Sequence, residues 1–201
     1  MVELDEGSTL SCVVSATNPA GTASATATSK TVKVPVPHVK GCPAATWSLT
    51  GTTMGLIRLG MTRAQAGHAY VHHTDRGNQY EDFFCLTPIG VRVGYGSPKL
   101  LKTPTKSERR SDGNHVVWAS TSNPYYSLDG VRVGESAQTA AKLLHAAAPL
   151  HIGLNHWYLA VEHQVTLVLK VRGEAVQEIG IATNALTRTR AQQSTLMHSF
   201  Y

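Results

Sequence analysis

Apolar residues recur at every second position in several segments of this chain, which is the pattern of β-strands that bury one face. In residues 165–172 all four odd positions are apolar, whereas Lys170 and Arg172 occupy even positions. By the same alternation Arg92 points away from the core in an earlier segment. The pattern predicts strands at residues 90–95, 115–121, 165–172 and 175–182.

Helices are predicted after two glycine turns of similar sequence. Residues 57–66 and 131–140 share an apolar-Arg-apolar-Gly entry, and the match places Gly60 in register with Gly134. Thr62 and Ser136 follow the two glycines, where a hydroxyl can accept from the free amides of a first helical turn. Gln65 completes a capping box with Thr62. Apolar residues at helical spacing follow the second cap, so a short helix is predicted after each turn.

The two matching segments indicate an internal repeat, and the fold class that follows is α+β. We predict two helix-plus-antiparallel-meander repeats, residues 50–127 and residues 128–201, the second with a C-terminal helix. A helix pair covers only one face of an antiparallel sheet. The other face is therefore predicted to be open.

The segment 1–34 has the pattern of a β-hairpin, with strand-like alternation around Cys12 and a turn at residues 18–21. This hairpin, over about residues 5–34, resembles the last two strands of an immunoglobulin-like repeat of bacterial proteins. The resemblance implies a disulfide from Cys12 to an earlier strand, so we expect those strands to be missing from this chain. The alternative is that the hairpin belongs to the sheet of the main domain. Residues 35–49 are then a stiff, proline-containing linker.

The phrase Gly-Met-Thr-Arg-Ala-Gln-Ala at residues 60–66 resembles the opening of small outer-membrane lipoproteins of the SmpA/OmlA type. Its doubling resembles the β-lactamase inhibitor proteins, and together these resemblances cover about residues 50–182. They imply two helix-and-sheet units whose concave sheet grips a partner protein. This chain differs from those families in its polar insertion at residues 103–114 and in offering a single candidate disulfide rather than one per unit.

Composition excludes several classes of protein. The 201 residues are 42% hydrophobic and 15% charged, as in a packed globular domain. The net charge of +5 comes from scattered cations, and the one dense group, at residues 106–110, includes Glu108. A nucleic-acid partner is therefore not expected. No segment approaches the roughly 18 apolar residues of a membrane span. We expect any targeting signal to precede Met1 and the protein to be extracellular or on the cell surface.

The three cysteines, Cys12, Cys42 and Cys85, include no Cys-x-x-Cys pair, so no zinc or thioredoxin-like motif is present. Cys42 and Cys85 both lie in or beside the duplicated domain, whereas Cys12 belongs to the hairpin. We therefore predict a Cys42–Cys85 disulfide, which would stabilise the fold by roughly 3–4 kcal/mol in the chain-entropy model.

Candidate catalytic chemistry is sparse, and the catalytic residues stay unknown. His68 and His72 have the helical spacing of zinc ligands, but a solvated helix end is the favoured interpretation, so no metal and no cofactor are predicted. The Gly-x-Ser-x-Gly motif is absent. Ser136 is explained by helix capping without a catalytic role.

The favoured function is a secreted or cell-surface binding module, resembling an inhibitor, that contacts a protein or a cell-envelope polymer through its open sheet face. Aromatic and arginine side chains are enriched where binding energy concentrates in interfaces. A hydrolase acting on esters or lactones, with or without a metal, is the first alternative. A structural spacer of a surface protein is the second, and the oligomeric state stays open. The predicted binding residues are His156, Tyr158, Lys170, Arg172 and Arg92.

Overall fold

The chain divides into two compact units, residues 1–37 and residues 38–201. The computed structural model describes part of each unit. The backbone is described for residues 9–10, 13–17, 24–28, 32–33, 48–49, 51–70, 73–85 and 90–200, and side chains for residues 49, 51–70, 77–85 and 90–200.

The described part of the first unit is an antiparallel hairpin, as the alternating pattern predicts. Strands β2 (Val13–Thr17) and β3 (Ser24–Thr28) pair over their full length. Strands β1 (Thr9–Leu10) and β4 (Val32–Lys33) pair outside them. The likeness to an immunoglobulin-like repeat stays a prediction, because Cys12 lies outside the described residues.

The second unit is built on one antiparallel sheet of eight strands within its described residues. The order across the sheet is β13-β14-β15-β16-β11-β10-β9-β8, so two four-stranded meanders meet at their last strands. The bounds are β8 His73–Asn78, β9 Glu81–Phe84, β10 Val91–Tyr95, β11 Val116–Thr121, β13 Leu150–Ile152, β14 Asn155–Val161, β15 Val165–Arg172 and β16 Ala175–Thr183.

Four short strands lie outside this sheet. They form two small pairs, one parallel and one antiparallel: β5 Ser48–Leu49 with β12 Ser127–Leu128, and β6 Thr53–Met54 with β7 Ile57–Arg58. Leu49 is only 2% exposed, so the second unit includes the end of the predicted linker.

Short helices connect the strands. Their bounds are α1 Arg63–Ala69, α2 Lys106–Asp112, α3 Ala137–Leu143 and α4 Arg190–Met197, with 3₁₀ turns at Leu100–Lys102, Asn184–Leu186 and His198–Phe200. Helix α2 lies in the predicted polar insertion. The α+β class with an antiparallel sheet is thus confirmed, and each meander has four strands.

The two predicted helix caps have different outcomes. Thr62 accepts from the amide of Gln65, and the Gln65 side chain accepts from the Thr62 amide, so that capping box is confirmed. Ser136 is the N-cap residue of α3, as predicted, but its side chain makes no cap hydrogen bond. Its hydroxyl is exposed at the start of α3 instead.

The strand register decides which side chains share a face of the sheet. On the pair β14–β15, Tyr158 stands opposite Leu169 and His156 opposite Val171, whereas Trp157 stands opposite Lys170. Directly opposed residues point to the same side of a sheet. His156 and Tyr158 therefore lie on the side that α3 covers, which we call the helix face.

Trp157 and Lys170 lie on the other side, which we call the terminal face because the C-terminal segment packs on it. The prediction that His156 and Tyr158 share one open face of the sheet with Lys170 is therefore wrong. The prediction of an open sheet face is wrong as well, because α4 and the turns beside it cover much of the terminal face. The C-terminal segment and the terminal face together form one buried hydrophobic cluster, which includes Trp118, Trp157, Leu159, Val168, Leu196, Met197 and Phe200.

Trp118 of β11 occupies the space that a side chain at Gly94 would need. Gly94 stands opposite Trp118, and a Cβ built on Gly94 would lie 1.9 Å from Cε2 of the indole. The ring cannot retreat freely, because Phe200 stacks on it with ring centroids 4.0 Å apart. Glycine is thus required at this position by close packing.

We expect Gly94→Ala to lower the free energy of unfolding by about 1–3 kcal/mol, the usual cost of overpacking a core. Urea denaturation of the full chain measures this. Gly67→Ala is the matched control, because Gly67 lies within α1 and nothing stands within 4 Å of its built Cβ. That control should gain up to about 1 kcal/mol from helix propensity. Equal stability of the two variants would contradict the packing described for Trp118.

Candidate functional site

A groove of about 410 Å³ lies between helix α3 and the helix face of the sheet. Strand alternation directs His156 and Tyr158 into it, and both side chains are half-buried. Ala137 and Ala141 are the α3 residues opposite them, and their small side chains leave the space open. We call this space the α3 groove. Its other lining residues are Ser136, Gln138, Val171, Gly173 and Glu174.

The α3 groove combines an aromatic wall with hydrogen-bonding groups. Tyr158 supplies an apolar ring with a polar tip, and Gln138 and Glu174 are exposed beside it. The ring of His156 packs against that of His151, with centroids 4.1 Å apart at an angle of 55°. Concave surfaces of this kind, with a few polar groups on a partly apolar lining, are the usual form of binding sites.

Ser136, His156 and Glu174 all line the α3 groove, and their side chains are of the types used for nucleophilic catalysis. A nucleophile and its base act through a direct hydrogen bond of about 2.6–3.2 Å. No hydrogen bond joins these three side chains, all of which are described. The groove therefore contains the residue types of a nucleophilic site, but these residues are not hydrogen-bonded to one another.

The predicted residues Arg92 and Lys170 lie on the terminal face and share one carboxylate. Glu178 of β16 accepts from Nζ of Lys170 at 2.7 Å, from Nη2 of Arg92 at 3.2 Å and from Oγ of Ser120 at 3.2 Å. Nε of Arg92 also lies 3.7 Å from Oε1 of Glu81. These four ionisable side chains, Arg92, Lys170, Glu178 and Glu81, are called the terminal-face charge network below.

Both cations of this network also lie over aromatic rings. Arg92 is 5.3 Å from the ring centroid of Trp118, and Lys170 is 5.5 Å from that of Trp157. Each side chain is less than one fifth exposed. Their charges are therefore compensated by carboxylates of the same chain.

Arg172 is exposed at the end of β15 and donates from Nε to Oδ1 of Asn155 at 3.1 Å. The five predicted binding residues are thus divided between the two sides of the sheet. His156 and Tyr158 meet in the α3 groove, whereas Lys170, Arg172 and Arg92 lie on the terminal face. The five residues therefore do not form a single site: His156 and Tyr158 share the α3 groove, and Arg92 and Lys170 share Glu178 on the opposite face.

Glu81 carries an unfavourable charge within the terminal-face charge network. Burial raises the pKa of its carboxyl above the ordinary value, and the nearby Arg92 offsets this only in part. The folded state then holds the proton more tightly than the unfolded state. Stability should fall as the pH rises from near 4, where a free Glu titrates, through the folded-state pKa.

Glu81→Gln should remove this contribution, so the variant should lose less stability than the original chain between pH 4 and pH 7. Denaturant midpoints at several pH values measure the difference between the two proteins. Glu174→Gln serves as control, since Glu174 is exposed. Parallel pH profiles for the original chain and Glu81→Gln would contradict the raised pKa.

The remaining predicted ligands lie partly outside the described residues. Cys85 is disulfide-bonded. Cys42 is not among the described residues, so the Cys42–Cys85 pairing stays a prediction. His68 is exposed on α1, which ends at Ala69, and His72 is likewise not described. In the parts of the chain that the structure describes, no three His, Cys, Asp or Glu side chains are placed to hold a metal ion.

Comparisons with known proteins place this chain in no family. No family model matches it, and no curated protein matches it significantly. Among solved structures, an extracellular protein containing an SCP domain from Bacillus anthracis strain Ames is similar, with a TM-score of 0.36 and 10% identity. The match covers 66% of this chain and 46% of that one, so the chain spans less than half the length of that structure. None of the described helices has the length and apolar character needed to cross a membrane.

Proposed function

We propose that this protein is an extracellular binding module that holds a partner protein in the α3 groove. The observation that supports this is the convergence of His156 and Tyr158 in a groove of about 410 Å³. Tyrosine offers a large contact area for little loss of conformational entropy, and it is enriched where binding energy concentrates. An extracellular location agrees with a disulfide at Cys85, because disulfides persist in oxidising compartments.

The proposal includes the duplication inferred from the sequence. Two equivalent hydrogen bonds support it: the amide of Gly60 donates to the carbonyl of Val116 at 2.8 Å, and that of Gly134 donates to the carbonyl of Val176 at 2.8 Å. Both glycines have a left-handed backbone, with φ of +84° and +91°. Helices α1 and α3 begin at positions that the sequence match also pairs. A superposition of residues 55–70 on residues 129–144 tests the duplication.

Tyr158→Ala and Arg172→Ala form a pair of variants that tests the binding proposal, because they lie on opposite sides of the same sheet. Each immobilised protein is used to capture partners from the culture medium of the source organism. A captured protein is identified, purified and titrated against all three chains. We expect Tyr158→Ala to weaken its affinity tenfold or more, since interface tyrosines commonly contribute about 1–2 kcal/mol or more.

Arg172→Ala should change that affinity less than about threefold, because its exposed side chain lies outside the groove. Both variants should unfold within a few degrees of the original chain, since neither side chain is core. Unchanged affinity in Tyr158→Ala, or a loss confined to Arg172→Ala, would move the site to the terminal face. Capture of a cell-envelope polysaccharide in place of a protein would overturn the partner class.

A hydrolase is the second candidate, because the hydroxyl of Ser136 does not cap α3 and lies in the same groove as His156. An ester substrate and a serine-reactive fluorophosphonate probe separate this function from binding. A binding module should leave both reagents unchanged. Labelling of Ser136, with loss of ester hydrolysis in Ser136→Ala, would replace the binding proposal with an acyl-transfer enzyme.

A further inference from the structure

A cationic surface lies on helix α2 and the 3₁₀ turn that precedes it. Arg109 and Arg110 follow Lys106 by three and four positions, so the three exposed side chains share one face of α2. Lys102 is exposed at the end of the preceding turn, and Nη1 of Arg109 donates to its carbonyl oxygen at 3.4 Å. We call these four side chains the α2 cationic face. It shares no residue with the α3 groove.

The α2 cationic face carries most of the net charge of the protein. The 201 residues have a net charge of +5, and the four cations supply +4 of it, which leaves +1 for the rest of the chain. Within the described part of the chain, none of the four makes an ion pair. Their charges are therefore available to a molecule outside the chain.

The two carboxylates of the same helix lie on its other side. Glu108 forms an ion pair with Arg188 and accepts from the amide of Thr105 at 2.8 Å. Oδ1 of Asp112 accepts from the hydroxyl of Ser111 at 3.0 Å, and its Oδ2 is buried. At 3.6 residues per turn, positions 108 and 112 lie together and away from the cations. Helix α2 thus separates its negative charges from its positive ones.

This distribution of charge lowers the stability of the helix. Like charges three or four positions apart repel each other, and Lys106 at the first helical position opposes the helix dipole. Helix α2 has only seven residues and is held by the capping box of Thr105 and Glu108. Departures from a local stability rule are expected where a surface serves a function. The α2 cationic face is such a departure.

The surroundings of the face favour a phosphate polymer without bases. Arginine and lysine form strong, charge-assisted hydrogen bonds with phosphate oxygens. Residues 96–114 contain no aromatic side chain, so the face does not offer the stacking that holds single-stranded nucleic acid. Leu100 and Leu101 are buried, at 5% and 7% exposed, and therefore cannot enter a membrane beside the cations.

We propose that the α2 cationic face binds a linear phosphodiester polymer without bases, such as a glycerol phosphate chain. Lys106, Arg109 and Arg110 contact phosphates along α2, and Lys102 extends the contact beyond the start of the helix. A phosphodiester carries its charges in its backbone, whereas an acidic polypeptide must order flexible side chains to present its carboxylates. The site is independent of the partner proposed for the α3 groove, so Tyr158→Ala should leave polymer binding unchanged.

The test is a calorimetric titration of the full chain with a glycerol phosphate polymer, a thymidine oligonucleotide, poly-glutamate and phosphatidylglycerol vesicles at several salt concentrations. We expect the glycerol phosphate polymer to bind most tightly per charge. The logarithm of its association constant should fall with the logarithm of salt concentration, with a slope of about −2 to −3 for four neutralised phosphates. Combining Lys106→Gln with Arg110→Gln should weaken binding about tenfold or more and make the slope shallower by about 1.

Arg132→Gln with Lys142→Gln is the matched control, because it removes the same charges from exposed positions elsewhere and should change the affinity less than about threefold. Lys102→Gln is a further variant for the case that the first pair folds poorly, and it should weaken polymer binding as well. The proposal is overturned if the glycerol phosphate polymer does not bind, or if both double variants weaken binding equally. It is also overturned if the oligonucleotide, poly-glutamate or the vesicles bind more tightly per charge.

Discussion

Phe200→Ala should destabilise this protein more than any other single truncation proposed for it, by about 3–5 kcal/mol. Phe200 is 1% exposed and stacks on Trp118, and its edge meets the ring of Trp157 with centroids 5.2 Å apart. Its removal leaves a cavity between the terminal face and the C-terminal turn. For a chain of this size the melting temperature should fall by on the order of 10 °C.

Thermal unfolding followed by circular dichroism measures this loss, and tryptophan fluorescence should shift to longer wavelength as Trp118 and Trp157 gain contact with water. Leu154→Ala is the control, because Leu154 is 75% exposed and should change stability by less than about 0.5 kcal/mol. A loss below about 1 kcal/mol in Phe200→Ala would show that the C-terminal segment does not close the terminal face.

Glu178→Ala should have the second largest effect, a loss of about 2–3 kcal/mol, because its carboxylate holds two cations that are poorly hydrated. Lys170 and Arg92 come from different meanders and are each less than one fifth exposed. Removing the carboxylate leaves Lys170 without its anionic partner and Arg92 with only the longer contact to Glu81 at 3.7 Å. Breaking a buried pair costs more than the pair contributes. The free energy of unfolding in urea gives the magnitude.

Glu174→Ala provides the comparison for this variant, because Glu174 lies in the exposed turn between β15 and β16 and should change stability by no more than about 0.5 kcal/mol. Raising the salt concentration should reduce the difference in unfolding free energy between Glu178→Ala and Glu174→Ala only slightly, since partly buried ion pairs are screened less than exposed ones. A difference that disappears at about 1 M salt would identify the network as a surface feature.

Strand positions were predictable from the sequence because hydrophobic alternation is a local property. The segment 165–172 was predicted to the residue, and β16 differs from its prediction at one end only. The capping box of α1 was predictable for the same reason, since Thr62 and Gln65 are close neighbours in the chain. In each case the deciding interactions lie within a few residues.

Which face each strand presents was not predictable in the same way. Alternation identifies two sets of side chains in one strand, but the sets can be matched between strands only when the register is known. Trp157 and Leu159 are apolar, yet they lie on the face of Lys170 because the terminal face is itself partly buried. The argument from a one-sided sheet fails when distant residues such as Phe200 cover the second side.

The partner of Lys170 shows how a single irregularity hides a site residue. Continuous pairing from Arg172 opposite Ala175 would place Gln177 opposite Lys170. A bulge after Val176 places Glu178 there instead. The strand pattern therefore could not identify Glu178 as the centre of the terminal-face charge network. The only feature of the sequence that could have indicated this ion pair was the opposite charge of Lys170 and Glu178 on neighbouring predicted strands.

The meeting of the two meanders at β11 and β16 has a consequence for how the chain folds. Within each meander a strand pairs with the next one along the chain. Forming such a pair closes a shorter loop than pairing β11 with β16 does, so it costs less chain entropy. Across the junction Ser120 pairs with Gly180, and most of the second meander lies between them in the chain. Pairings between distant residues cost more chain entropy and slow folding. Every residue of β11 is buried. The pairing of β11 with β16, at the middle of the sheet, should nevertheless be the last strand pairing of the sheet to form.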